Sequence, residues 1–198
     1  MIALLDNGQN LDQCAAELGC EIGQLLTPLT RYHLRDPLRP WAIDNGGFSG
    51  VDVPAFEALL ERETVHRNHC LFVAVPDILA SAQRTREIFD IWAPRLSPWP
   101  LAYVVQDGQE HVEIPWQRVE FVFIGGTTQW KCSDAVTQII ATAHLLGKKV
   151  HVGRVNSVLR WKHFEELGAF SCDGSGISRY SHMREAIADR HAQQEMFS

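Results

Sequence analysis

Asp44, Asp77, Gln106 and Asp173 stand at corresponding places in the chain, each just after a short apolar run. A carboxylate can act as a nucleophile or move a proton. An amide can donate and accept at the edge of a planar ligand. Glycines attend these positions: Gly46 and Gly47, Gly125 and Gly126, Gly153, and Gly174 and Gly176. A residue without Cβ lets a ligand or another backbone approach closely. Each feature also has an ordinary structural reading. Asp44 beside two glycines fits an Asx-turn, and Asp77 fits the cap of a helix starting near 79. Asp173 fits a turn before the last helix, Gly125-Gly126 a tight strand-to-helix turn, and Phe48 a core plug.

Other chemistries find less support. Nothing resembles a Walker A loop, and Gly125-Gly126 is too short for a dinucleotide fingerprint. His66, His69 and Cys70 lack the spacing of a known metal site, so no metal and no cofactor is expected. The cysteines at 14, 20, 70, 132 and 172 form no CxxC pattern and read as buried free thiols of a reducing compartment. Arg154, Arg160, Lys162, Arg179 and Arg184 are candidates for phosphate contacts, with Arg31, Arg35 and Arg39 as a second basic cluster; for any one of them a solvated surface is the plainer reading.

The elements that must carry these residues alternate. The apolar runs are Ile2–Leu5, Gln24–Leu26, Trp41–Ile43, Leu71–Val75, Leu101–Val105, Phe121–Ile124, Lys149–Val152 and Ala169–Cys172. Between them, helices are predicted over about 53–62, 79–93, 131–146, 156–167 and 179–194. Ser133 is expected to cap the third and Gly147 to end it; Asn156 or Ser157 should start the fourth and Gly168 stop it. Apolar strands separated by helices predict a parallel sheet buried on both faces. Because successive strands end in polar or glycine signals, the expected architecture is a compact (β/α)8 TIM-like barrel, trimmed or irregular, with its site at the strand C-termini. An open doubly wound sheet would gather its ligand at one switch point.

The 198 residues predict one domain over 1–198, large enough for a core without disulfides or metal. Apolar residues at 45% and charged residues at 21% exclude a disordered chain. The formal net charge of −6 argues against a blanket electrostatic grip on nucleic acid and leaves room for a local basic patch. No apolar run approaches the length of a membrane span, and the start, Met1 to Asn10, is not expected to be a signal peptide.

Asp44-Asn-Gly-Gly-Phe48 resembles the Asp-Ser-Gly-Gly-Phe motif of tRNA-guanine transglycosylases. Further segments follow in that family's order: Asp77, then Val105-Gln106-Asp-Gly, Ile124-Gly125-Gly126, His151-Val-Gly153 in place of Met-Gly-Val-Gly, and Asp173 where the family has its nucleophile. The likeness spans residues 41–180. The chain departs from the family in lacking the zinc-binding cysteine cluster and in having Gly174-Ser-Gly-Ile-Ser-Arg179 after the nucleophile position. In this it is similar to the short, zinc-free phage and bacterial transglycosylases that insert 7-deazaguanine bases into DNA.

The resemblance implies a base exchange through a covalent glycosyl ester on Asp173, with Asp44 as acid and base. It implies that Phe48 stacks on the base, Asp77 and Gln106 read the guanine edge, and Gly125 and Gly126 present backbone N–H groups; Gly153 would join them. Arg154 and Arg179 would meet the backbone of the nucleic acid. The implied partners are DNA, with tRNA as the alternative, a free 7-deazaguanine-type base and an accessory protein, in the cytoplasm of a bacterium or a phage-infected cell. A nucleosidase or base glycosylase using the same carboxylates, and a non-catalytic nucleobase-binding barrel, remain as alternatives.

Overall fold

The computed structural model describes residues 1–6, 11–31, 33–34, 36–47 and 50–195; Phe48 and Arg35 lie outside the described residues. Eight parallel strands close into a barrel in chain order: β1 (Ile2–Leu5), β2 (Ile22–Leu26), β3 (Trp41–Ile43), β4 (Cys70–Ala74), β5 (Leu101–Val105), β6 (Phe121–Ile124), β7 (Lys149–Val152) and β8 (Ser171–Asp173). The seam pairs Ile2, Ala3 and Leu4 of β1 with Ser171, Cys172 and Asp173 of β8.

Side-chain alternation along each strand makes two apolar layers. Leu4, Leu25, Ala42, Phe72, Ala74, Ala102, Val104, Phe121 and Phe123 fill the barrel. Their neighbours, among them Leu5, Ile43, Val73, Tyr103, Val122, Val152 and Cys172, face the helices. Burial on both faces explains why the strands read as continuous apolar runs. Phenylalanines set against alanines fill the taper of the interior. Gly23 of β2 belongs to this fit, since a Cβ there would lie 2.1 Å from the Pro40 carbonyl oxygen and 2.7 Å from Leu4 Cδ2.

The helices are α1 (Leu11–Leu18), α2 (Val53–Glu63), α3 (Ala82–Leu96), α4 (Thr128–Lys131), α5 (Asp134–Leu145), α6 (Val158–Glu166), α7 (Ser175–Arg179) and α8 (Ser181–Glu195). The outer ring is trimmed. Among the described residues of 27–40 no helix follows β2, and β5 is followed only by the 3-10 turns Gln109–His111 and Trp116–Arg118. Asp52 caps α2 by accepting the Ala55 N–H at 3.1 Å, and Ser157 caps α6 through the Arg160 N–H at 3.3 Å.

Three expected helices are corrected. α3 begins three residues late, because residues 78–80 form a loop in which Ala80 takes a φ of 58° and Thr85 Oγ1 holds the Ile78 backbone. The helix expected over 131–146 is split into α4 and α5; Thr127 caps the first, whereas Ser133 takes the cap position of the second without a side-chain bond. The last helix is preceded by the separate α7, with the break at Tyr180. The unpredicted α1 buries Leu11, Cys14 and Leu18. Arg184 of α8 ties it to α8 through Glu17 at 2.7 Å. The thiols at 14, 70 and 172 are buried and all five are free, but Cys132 is exposed.

Gly19→Ala and Gly23→Ala separate backbone strain from crowding. A Cβ at Gly19 meets nothing within 4 Å but inherits a φ of 68°, a cost of about 1 kcal/mol. Gly23→Ala meets backbone and is expected to cost about 3 kcal/mol. Urea unfolding of both variants checks the order; equal midpoints would contradict it.

Candidate active site

The C-terminal ends of the strands open onto a small pocket of about 130 Å³. Asp44, Asn45, Asp77, Gln106, Gly125, Gly126, Gly153, Arg154 and Asp173 line it, with Val104 and Phe123 as its apolar floor. This suits one planar heteroaromatic base, well below the usual volume for a drug-sized ligand.

On one wall, Asp77 is held between two amides. Asn45 Nδ2 donates to its Oδ1 at 2.8 Å, and Gln106 Nε2 donates to its Oδ2 at 2.6 Å. Asn45 is fixed in turn by the Val75 carbonyl at 3.0 Å and the Gly47 N–H at 2.6 Å, and Gln106 Oε1 accepts the Ala80 N–H at 2.9 Å. Asp77 therefore does not cap a helix. Burial pushes its carboxyl up, against the opposing pull of the two amides and Arg154. Asn45 is a site residue that sequence reasoning missed; its signal was its place between Asp44 and Gly46.

Asp44 makes the Asx-turn, accepting the Gly46 N–H at 3.1 Å, and it also lines the pocket. Burial pushes its carboxyl up to about 7; the negative charges of Asp173 and Asp77 add to this, while the Gly46 N–H and Arg154 oppose it.

On the opposite wall, Asp173 ends β8 and accepts two hydrogen bonds. The Arg154 backbone N–H reaches its Oδ1 at 3.1 Å and His151 Nε2 its Oδ2 at 3.1 Å. The first bond depends on a left-handed turn, with Arg154 at a φ of 58°. His151 is fully buried and its Nδ1 lies 2.9 Å from Ser171 Oγ. It too was missed, because within the strand it looked like a core position.

One expectation about the glycines changes. The Gly125 N–H donates to the Val105 carbonyl at 3.0 Å, so it is spent in the sheet and not presented to a ligand. Gly125 matters for space instead, since a Cβ there would lie 2.7 Å from Gln106 Nε2. A Cβ at Gly153 would lie 2.7 Å from the Phe123 ring. Gly126 turns the chain at a φ of 74°, and its carbonyl accepts Arg154 Nη2 at 2.7 Å. Lys131, buried in α4, donates to the Gly153 carbonyl at 2.5 Å. Burial, then Arg154, brings its ammonium down to about 8.

The expected basic contacts divide. Arg154 lines the pocket and braces Gly126, whereas Arg179 is exposed at the end of α7, outside the lining. Arg184 is buried on Glu17 and the Ile177 carbonyl, so it cannot meet a phosphate. Lys162 pairs with Glu166, Arg160 with Ser157, and Arg39 with Asp12 and Asp36. Cys70 is buried, with its thiol donating to the Phe72 carbonyl at 3.3 Å. Among the described residues no group of three His, Cys, Asp or Glu side chains could hold a metal ion, and no helix is long and apolar enough to cross a membrane.

No protein-family model and no curated protein matches the chain. Among solved structures it is similar to the phosphoribosyl anthranilate isomerase of Thermus thermophilus, at 12% identity over 98% of each chain, with a TM-score of 0.49. It is also similar to the PaMucR phosphodiesterase in its c-di-GMP complex, at 15% identity over 71% of this chain and 61% of the other, with a TM-score of 0.43. Neither likeness bears on the reaction.

The raised Asp44 carboxyl makes stability depend on pH. Unfolded, this group ionises near its ordinary value of about 4, whereas folded it keeps its proton up to about 7. The stability it contributes is full below the lower value and is lost as pH rises through the upper one. Asp44→Asn is therefore expected to match the wild type in urea at about pH 4 and to exceed it at about pH 8. A variant midpoint below the wild type's at the higher pH would contradict the burial of this carboxyl.

Proposed function

We propose that this chain is a base-exchange transglycosylase that replaces guanine in DNA by a 7-deazaguanine derivative. The observation that carries the reading is the gathering of Asp44, Asp77, Gln106 and Asp173, distant in sequence, around one base-sized pocket. Their order along the chain is that of the family resemblance set out above, and the DNA branch rests on the departure from the tRNA enzymes at Gly174-Ser-Gly-Ile-Ser-Arg179.

In this reading the target guanine, flipped out of its stack, enters with its edge on the Asp77 wall. Each Asp77 oxygen already holds one amide N–H and keeps a lone pair for the guanine N1–H or 2-amino group. The second N–H of Gln106 Nε2 points the chemistry toward O6. A free Asp173 lone pair attacks C1′; the O–C1′ bond forms as the C1′–N9 bond breaks, and Asp44 gives its proton to the departing base. The incoming base then loses its N9 proton to Asp44 and attacks C1′, displacing the Asp173 carboxylate. Both half-reactions balance without a cofactor. An acid near neutrality is well matched to giving and taking a proton in turn.

The overall charge of −6 supports one further element, an accessory protein that holds the polyanion while the barrel reads one base.

Radiolabelled guanine exchange on DNA and on tRNA in parallel tests the reading. Label is expected in DNA, and Asp173→Asn should lower incorporation by at least about 10³-fold with the fold intact. Label in tRNA alone would overturn the branch, and free base released without incorporation would replace exchange by hydrolysis. Asp77→Asn is expected to lose about 10²-fold in discrimination between guanine and adenine, with exchange measured against each base. Unchanged discrimination would remove Asp77 from base reading.

A further inference from the structure

We infer that His151 and Ser171 form a buried relay that fixes Asp173 from beneath, making His151 a positioning residue for the displacement at C1′. The kinetic consequence rests on the transglycosylase reading; the relay itself does not.

The relay follows from strand register. His151 of β7 pairs with Ser171 of β8, so their side chains lie at one level of the interior, and Asp173 lies two residues further along β8 on the same face. Cys172, Val150 and Val152 point the other way, into the layer against the helices. The His151 ring sits against Phe72 and Phe123, with centroids 4.9 and 4.6 Å away. From there Nδ1 reaches across to Ser171 and Nε2 reaches up to Asp173.

The partners set the tautomer. A carboxylate oxygen only accepts, so Nε2 carries the proton. In the neutral ring Nδ1 then accepts, and the Ser171 hydroxyl donates to it. Both ring nitrogens are satisfied, which is what allows an imidazole among phenylalanines. Apolar side chains fill this level elsewhere in the barrel, and a polar pair in their place costs desolvation. What it provides is a donor aimed upward at Asp173. Ser171 is itself fully buried beneath His151 and cannot reach a substrate, so the row is not a serine-nucleophile triad.

During the reaction His151 keeps its proton. Asp173 loses its negative charge when the glycosyl ester forms and regains it when the incoming base breaks the O–C1′ bond. The Nε2–H and the Arg154 N–H hold the carboxylate in one rotamer for attack and steady it as it leaves.

Two readouts test the inference. The first is ¹⁵N NMR of the imidazole, independent of turnover. A protonated Nε2 with an accepting Nδ1 is expected in the wild type, and a shifted, faster-exchanging Nε2–H in Asp173→Ala. The second is steady-state exchange. His151→Phe keeps the ring and removes the donor; kcat is expected to fall about 10²-fold with KM for the base unchanged. His151→Gln, which can place an N–H near the same point, should recover most of the loss, and Ser171→Ala should fall between. A merely structural role would lower the melting temperature without this split between kcat and KM. An Nδ1–H tautomer in the wild type, or His151→Phe keeping wild-type kcat, overturns the inference. A wild type that carries the expected ring signature yet exchanges no base overturns the transglycosylase reading and supports the relay.

Discussion

Ile2, Ala3 and Leu4 pair with Ser171, Cys172 and Asp173, and this seam closes the sheet. The arrangement of the site depends on that closure. Strands buried on both faces carry mostly apolar side chains along their length, so polar groups collect where the strands end. Closure turns eight strand ends into a ring and brings Asp44, Asp77, Gln106 and Asp173 to one pocket although they span 130 positions of the sequence. α1 and α8 fasten the same seam from outside through Arg184 and Glu17.

The carboxylates around the pocket have different surroundings. Asp44 has one backbone N–H and two neighbouring carboxylates, and its proton is retained to about 7. Asp77 is clamped by two amides that are themselves held by backbone. Asp173 has a backbone N–H on one oxygen and an imidazole on the other. Pairs of acids placed in contrasting environments take on contrasting work.

Much of this is legible in the sequence. The strands Trp41–Ile43, Leu101–Val105, Phe121–Ile124 and Lys149–Val152 fall where their apolar runs lie, because burial on both faces leaves an unbroken signal. The meeting of the strand-end residues at one pocket is legible for the same reason. Residues 78–80 were not legible as a loop: their conformation answers to Gln106, more than twenty positions later, and not to local propensity. The free N–H expected of Gly125 was misjudged because sheet pairing continues one residue past the strand. His151 escaped because in sequence a histidine between two valines resembles any interior residue; only the register with β8 sets it beneath Asp173.

The missing Cβ of Gly153 has a consequence for how this barrel can drift in sequence. The Phe123 ring occupies the space that a side chain at 153 would need, and the same carbon would stand 3.5 Å from Asp173 Oδ2. Positions 123 and 153 are thus a single volume shared by two strands. Enlarging one requires shrinking the other, and the shape of the pocket floor is inherited as a pair. Relatives with a reshaped pocket floor are expected to carry both changes or neither.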